Sequence, residues 1–230
     1  VIVGVVVPAR DEEQRIDRCL DALAVAAARV EVPVHVTVVL DACSDGTAAR
    51  CARRAVRTVE ADGRGIGRAR NRGVGCLVAD RLEAGDELHD LWLATTDADS
   101  TVDPDWLTEQ LSLAAGGADA VLGVVDVDDP SPAFRDLYGD HTGTHPHIHG
   151  ASMGFSLRAY LRIGGFRPAE VGEDVDLVAR LDADPHLRVV RSTRVRVRTS
   201  DRRSSRVRGG FADVLRALDA GEQPPQAVRA

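Results

Sequence analysis

Asp97-Ala98-Asp99 places two carboxylates one residue apart, directly after the apolar run Leu91-Trp92-Leu93-Ala94-Thr95-Thr96. A strand that delivers two hard oxygen ligands at its carboxyl end suits a hydrated divalent cation such as Mg²⁺ or Mn²⁺. Such a cation works beside phosphate, where it neutralises charge on a diphosphate. The same residues would also serve as a polar strand end ahead of the turn at Asp103-Pro104. Four further groupings carry chemistry. Asp41 ends an aliphatic run, where its carboxylate could accept a hydrogen bond from a ring N–H or cap the turn that follows. Glu173-Asp174 opens a helical pattern, a position that the helix dipole favours for acids and that also suits a proton acceptor. His141, His145, His147 and His149 fall within nine positions, with His147 and His149 on one face if the segment is a strand. Zinc is one use for such a tract; lining an acceptor pocket, or adding a ligand to the Asp97/Asp99 cation, is the reading we prefer. Arg202, Arg203, Arg206 and Arg208 fall within Ser200–Gly210, as a solvated basic loop or as an arginine loop that closes over a diphosphate.

Asp97-Ala98-Asp99-Ser100-Thr101 also fits the D-x-D-x-T of aspartate-nucleophile phosphatases. That chemistry normally uses the first strand and a later cation, usually lysine. Here the motif follows a fourth strand and the chain contains no lysine, all 29 cationic side chains being arginine. The phosphatase reading is therefore rejected.

The 230 residues, 44% hydrophobic, are enough for one α/β domain with a substantial core. A formal charge of −7 argues against nucleic acid or an anionic membrane surface as main partner. Cys19, Cys43, Cys51 and Cys76 form no C-x-x-C pair, which reads as reduced thiols and a cytoplasmic location. No apolar run approaches the ~20 residues of a membrane span, and no signal peptide is visible. The chain starts inside a strand-like run without methionine, so residues ahead of Val1 are expected.

Around the motifs, hydrophobic periodicity predicts the elements that position them. Val1–Val7 is a strand buried on both faces. A helix follows, capped by Asp11 with Gln14 as capping-box partner, burying Ile16, Leu20, Leu23, Ala27 and Val30. Strands at Val34–Leu40, Arg57–Glu60 and Leu91–Thr96 alternate with helices at Thr47–Ala55 and from the Gly63-Arg64-Gly65-Ile66-Gly67 run to about Leu82. The three glycines suit a flexible loop, or a cradle for phosphate. Such alternation indicates a parallel sheet covered by helices, with the turns after Val7, Leu40 and Thr96 opening at its carboxyl edge. Beyond it we expect a helix over Asp105–Ala115, a strand over Ala120–Val127, an irregular or helical crossover over Ser131–Thr144 and a strand over His149–Phe155. A helix near Glu173–Leu181, two short strands (Leu187–Val190 and Arg194–Arg198) and a helix from Phe211 complete the pattern.

The order of motifs resembles the family 2 glycosyltransferases of GT-A fold. Val5-Val6-Val7-Pro8-Ala9-Arg10-Asp11-Glu12-Glu13 is similar to the opening strand and turn of that family, and Val38–Thr47 to its second-strand motif. Gly67-Arg68-Ala69-Arg70-Asn71-Arg72-Gly73 resembles its helix signature and Asp97-Ala98-Asp99-Ser100 its D-x-D motif. Gly150-Ala151-Ser152-Met153-Gly154, Gly164-Gly165-Phe166 and Gly172-Glu173-Asp174-Val175-Asp176-Leu177 resemble its acceptor-side motifs. Seven motifs in order carry weight that none has alone. The chain departs from the pattern at Leu40-Asp41-Ala42, where the family usually has two acids and a glycine, and Cys43 is an unusual neighbour for the base-recognising position.

The resemblance implies a GT-A-type, Rossmann-like, mostly parallel sheet flanked by helices, with a C-terminal acceptor-binding portion. It places one domain over 1–220, a nucleotide-sugar half at 1–103, an acceptor half at 104–220, and a flexible tail at 221–230. Pro8, Ala9, Arg10, Glu12, Asp41, Arg70, Asp97 and Asp99 are then nucleotide-sugar-binding residues, although a solvated first-turn glutamate explains Glu12 equally well. Asp99 ligates Mg²⁺ or Mn²⁺ directly, while Asp97 contacts the ribose or reaches the metal through water. Asn71 fixes local backbone. Gly150, Ala151 and Glu173 serve the acceptor, Glu173 by holding substrate or backbone, and Asp174 is the catalytic base. The implied activity is a metal-dependent, inverting hexosyl transfer from a nucleotide diphosphate donor to a hydroxyl, on a small-molecule acceptor by the chain's size. A homodimer is compatible with this. The alternatives are a sugar-phosphate nucleotidyltransferase, whose glycine-rich signature and lysines are absent, and a non-catalytic nucleotide-sugar binding module.

Overall fold

Seven of the eight residues of β1 (Ile2–Ala9) are buried, as a strand covered on both faces requires. The computed structural model describes residues 1–127, 130–139, 143–169, 171–200, 202 and 211–222. After β1 come α1 (Ile16–Ala27), β2 (Val34–Asp41), α2 (Thr47–Cys51), β3 (Arg57–Ala61), α3 (Ile66–Glu83), β4 (Leu91–Thr95) and β5 (Ser100–Val102). The chain continues through α4 (Trp106–Ala115), β6 (Ala120–Val127), α5 (Pro132–Tyr138), β7 (Met153–Ser156), α6 (Leu157–Arg162), α7 (Glu173–Asp182), β8 (Val189–Thr199) and α8 (Phe211–Asp219).

The strands form one sheet in the order β3-β2-β1-β4-β7-β6-β8-β5. The first four are mutually parallel, with Val6 opposite Val38's neighbour Thr37 on one side and Thr95 on the other. Their carboxyl ends therefore bring the turns after Ala9, Asp41 and Thr95 to one edge, where such sheets bind ligands. Beyond β4 the sheet is mixed. β7 is antiparallel to both β4 and β6, and β5 is antiparallel to β8. Alternate residues of β1 feed two cores: Val3, Val5 and Val7 pack with Ile16, Leu20 and Leu23 of α1, and Val6 packs with Val74 and Leu77 of α3. Gly73 permits the close approach of α3, since a side-chain carbon there would collide with Val6. No helix among the described residues is long and apolar enough to cross a membrane.

Several boundaries differ from expectation, each for a tertiary reason. Asp11 does not cap α1, which begins at Ile16 without a side-chain cap. Its carboxylate instead accepts hydrogen bonds from the backbone N–H of Ser44 (2.7 Å) and Asp45 (3.3 Å), and its backbone takes φ 49° to reach them. α2 stops at Cys51 rather than Ala55, and Arg54 turns back to pair with Asp17 and Asp21 of α1. The segment 144–149 is not strand, so His147 and His149 do not share a strand face; β7 starts only at Met153. A turn bond from Ser152 N–H to the His149 carbonyl separates them. The two short strands expected near the end are one strand, β8, whose register against β6 shifts between Leu122 and Val124. β5, directly after the D-x-D motif, was not expected. His141, Arg203, Arg206, Arg208 and residues 223–230 lie outside the described residues.

The histidine tract packs as aromatic core. The rings of His145, His147 and His149 follow one another at 6.1 and 6.2 Å, and His149 meets Phe211 of α8 edge-on at 5.6 Å. Burial, with the neighbouring His147 and His145 adding to it, lowers the His149 pKa to about 3. A base held neutral in the fold contributes stability above its unfolded pKa of about 6.5, and that stability is lost as pH falls below it. Stability should therefore drop on the order of 1–2 kcal/mol between about pH 7 and 5 through this residue, and the drop should shrink in His149→Phe. Urea midpoints at the two pH values check this; an unchanged pH dependence in the variant would count against it.

Candidate active site

Two turns, after β1 and β2, build one end of the carboxyl edge, and the chain locks them together with acids. Besides Asp11, the Glu13 carboxylate accepts from Gly46 N–H (2.7 Å), and Asp45 accepts from Glu13 N–H (3.0 Å). Thr47, buried at the start of α2, accepts from Glu12 N–H (2.8 Å) through its hydroxyl. The turn after β1 is thereby fixed against the turn after β2. Cys43 donates its thiol to the Ala9 carbonyl (3.2 Å), tying the Pro8-Ala9 floor to the same turn. Asp41 is buried, and its carboxylate accepts from Gly63 N–H (2.8 Å). It does hold a backbone N–H, but one from the loop after β3 and not from its own helix. Gly63 adopts φ 75°, a left-handed conformation that glycine reaches without strain. Arg10, exposed, has its guanidinium beside the same glycine. Glu12 is not a solvated glutamate: it is 4% exposed.

Asp97 and Asp99 leave the end of β4 in different directions of bonding. Asp99 Oδ1 faces the hydroxyls of Ser100 (3.3 Å) and Thr199 (3.4 Å), while Oδ2 accepts from Ser200 Oγ (2.9 Å) and Arg202 Nη2 (2.9 Å). The β5–β8 pairing, Ser100 opposite Thr199, supplies this cradle of hydroxyls. Asp97 Oδ1 accepts from Arg70 Nη2 at 2.8 Å. Desolvation raises the Asp97 pKa; the Arg70 guanidinium opposes that rise and the Asp99 charge adds to it.

Arg70 is the centre of the site. It is 1% exposed, yet carries a permanent charge, so burial is tolerable only with partners. Nη1 donates to Glu173 Oε1 (2.5 Å), Nη2 donates to Asp97, and the guanidinium lies over the Phe166 ring at 5.3 Å. Desolvation works against its charge, and Asp97 and Glu173 overcome it, so its pKa lies above the ordinary arginine value. Glu173, read as holding substrate or backbone, holds this guanidinium. Phe166 is itself fixed by Asn71, whose amide donates to its carbonyl (2.6 Å) and accepts from its N–H (3.0 Å). Asn71 does fix backbone, though 95 residues away in sequence.

Across the edge from Asp97, Gly172 takes a left-handed conformation (φ 77°) and starts α7. This puts Glu173 against Arg70 and turns Asp174 toward Gly150, whose N–H donates to Asp174 Oδ2 at 2.8 Å. A Cβ at Gly150 would lie 2.5 Å from Arg70 Nη2, so only glycine lets this loop close on the guanidinium. Ala151 is buried beside it. Asp176 faces elsewhere, to Arg180 and Arg167. The structure thus brings Asp97, Arg70, Glu173, Asp174 and Gly150 into one bonded chain, with Asp41 and Arg10 on the neighbouring turns of the same edge. Arg202, Ser200 and Thr199 joined the site without a sequence signal beyond the arginine cluster.

Among the described residues no three His, Cys, Asp or Glu side chains form a ready-made metal site. Two carboxylates at a strand end nevertheless fit Mg²⁺ or Mn²⁺ at a phosphate, because such ions keep water and substrate oxygens in the rest of their shell. Asp99 fits this best, being oriented on both oxygens by hydroxyl groups.

The family model of glycosyl transferase family 2 matches residues 4–163. The chain has no sequence match among curated proteins. Among solved structures it is similar to Staphylococcus aureus TarS residues 1–349 in complex with UDP-GlcNAc, at 15% identity and TM-score 0.66, covering 89% of this chain. The chain spans 60% of the length of that TarS structure. It is also similar to the mannosyltransferase PcManGT of Pyrobaculum calidifontis in complex with GDP-Man and Mn²⁺, at 22% identity and TM-score 0.62, covering 98% of this chain and 66% of the other. These likenesses agree with the mixed, helix-flanked sheet of a GT-A fold.

Removing Arg70 strands two acids. Arg70→Gln should cost about 3–5 kcal/mol in denaturant unfolding, the usual effect of breaking a buried pair by one partner. Adding Glu173→Gln to it should recover part of that loss. A single variant with wild-type stability would show that the guanidinium does not hold the site together.

Proposed function

The chain belongs to glycosyl transferase family 2, and from that premise we propose that it moves a sugar from a nucleotide diphosphate donor to an acceptor hydroxyl. The observation that carries this reading is the bonded chain from Asp97 through Arg70 and Glu173 to the segment holding Asp174 and Gly150. It links a diphosphate anchor to a carboxylate suited to an incoming hydroxyl, the two functions that glycosyl transfer needs side by side. TarS and PcManGT, solved with UDP-GlcNAc and with GDP-Man and Mn²⁺, support a nucleotide-sugar donor.

In this reading the base stacks over the Pro8-Ala9-Arg10 turn and donates a ring N–H to Asp41, with Glu12 on the same turn. Arg70 serves the nucleotide through Asp97, which it orients. Asp99, with Asp97, would hold Mg²⁺ or Mn²⁺. When bound, that cation supplies positive charge beside the departing diphosphate. Asp174 takes the acceptor proton as attack develops, and the Gly150 N–H holds its carboxylate in place for that task. Attack on the face opposite the leaving group inverts the anomeric centre. The acceptor, a small hydroxyl compound in this reading, meets the segment at Gly150 and Ala151. Residues 1–103 carry most of the donor contacts and 104–220 the acceptor contacts, with Thr199, Ser200 and Arg202 returning to Asp99 on the donor side.

Asp174→Asn should lower transfer on the order of 10²–10⁴-fold while leaving nucleotide affinity unchanged. Activity near wild type would remove Asp174 as the base. A thermal-shift panel of UDP-, GDP-, ADP- and TDP-sugars, with and without Mn²⁺, identifies the donor, because stabilisation grows with ligand concentration over Kd. The response to the true donor should be metal-dependent and disappear in Asp99→Ala. A donor response identical with and without Mn²⁺ would count against a bound cation.

A further inference from the structure

Arg202 already sits where a cation is needed. Its Nη2 donates to Asp99 Oδ2 at 2.9 Å, and its Nη1 to Glu12 Oε1 at 2.8 Å. One guanidinium so bridges the strand-end carboxylate and the turn after β1, three residues beyond the end of β8. Its side chain is 25% exposed, against 12% for Asp99 and 5% for Glu12, so water screens the pairs little on the acid side. Asp99 Oδ2 also accepts from Ser200, which occupies this oxygen with two donors.

We propose that Arg202 is the resting counter-ion of Asp99 and Glu12 and competes with the divalent cation for Asp99. This rests on the reading of Asp99 as a cation ligand. The physical reason is simple exclusion. A metal ion bound at Asp99 Oδ2 would meet a permanently charged guanidinium at hydrogen-bond range, and like charges at that distance repel strongly. Arginine does not deprotonate to relieve this, so it must leave the carboxylate. Two outcomes follow for the same residue. Without donor, Arg202 adds positive charge to Asp99, which the Ser100, Thr199 and Ser200 hydroxyls already face, and to Glu12, which also lies 3.7 Å from Arg15. With cation and donor in place, its fork of N–H groups is released beside a diphosphate, whose oxygens it matches in geometry and charge. Metal affinity in the absence of nucleotide should then be weak by construction, and recover when nucleotide adds its own oxygens to the shell.

The test is Mn²⁺ binding, followed by the electron paramagnetic resonance signal of free Mn²⁺, on the full chain without nucleotide. Arg202→Gln should bind Mn²⁺ about tenfold more tightly than the wild type, a change typical of coupled sites. Adding Asp99→Asn to Arg202→Gln should abolish the gain. Melting curves without metal confirm that each variant is folded. Equal Kd values for wild type and Arg202→Gln, with binding still lost in Asp99→Asn, would overturn the competition and leave the cation reading intact. No Mn²⁺ binding by either protein, alone or with UDP or GDP, would overturn the cation reading and the competition together.

Discussion

A guanidinium buried to 1% exposure constrains everything packed around it. Arg70 stays charged at any pH a protein meets, so its cost of burial has to be met by acids placed with hydrogen-bond accuracy. Asp97 and Glu173 do so from opposite halves of the chain, and Glu173, itself buried, depends on Arg70 in turn. Much of the motif pattern follows from that one charge. Gly150 is glycine because a side chain would strike the guanidinium, and Gly67 is small because Glu173 packs within 3.2 Å of where its Cβ would be. Phe166 covers the cation with its ring face, and Asn71 holds Phe166. The helix signature and the acceptor-side motifs are thus one object seen at distant positions in the chain.

The remaining acids at the sheet edge are managed in the same way, by giving each a donor. Asp11, Glu13 and Asp45 place their oxygens on backbone N–H groups of the facing turn, which locks the turns after β1 and β2 together. The left-handed backbone at Asp11 (φ 49°) and Ala42 (φ 53°) is the conformational cost of that locking. Where the family usually has glycine, this chain has Ala42, so a side chain is held at a φ that glycine reaches without strain. Asp99 is treated differently: hydroxyls and an arginine satisfy it, groups that a stronger cation can displace.

Legibility in the sequence followed the reach of the forces involved. β1, β2 and β4 were readable because strands buried on both faces leave continuous aliphatic runs, and their parallel order followed from the alternation with helices. α3 and α7 were readable from glycine punctuation and periodicity. The start of α1 was misread because Asp11 looks like a cap locally but is used across 33 residues by Ser44. β8 was read as two strands because its bulge against β6 interrupts the alternation, and Gly123, where a side chain would collide with Ser152 and Val195, gives no local sign of that role. His145, His147 and His149 pack ring against ring, a use that their spacing does not tell apart from lining a pocket or converging on an ion. Of the candidate site, residue identities were visible but partners were not: Arg70 meets Asp97 at 27 residues' separation and Glu173 at 103.

An edge that transfers a sugar must release the nucleoside diphosphate as it forms the glycoside. The most direct measurement is product analysis after incubating the chain with the donor sugar nucleotide and a hydroxyl acceptor, separating nucleoside diphosphate, pyrophosphate and glycoside. Glycoside and free nucleoside diphosphate should form in equal amounts. Release of pyrophosphate, or tight nucleotide-sugar binding with no product in the presence of an acceptor panel, would contradict it.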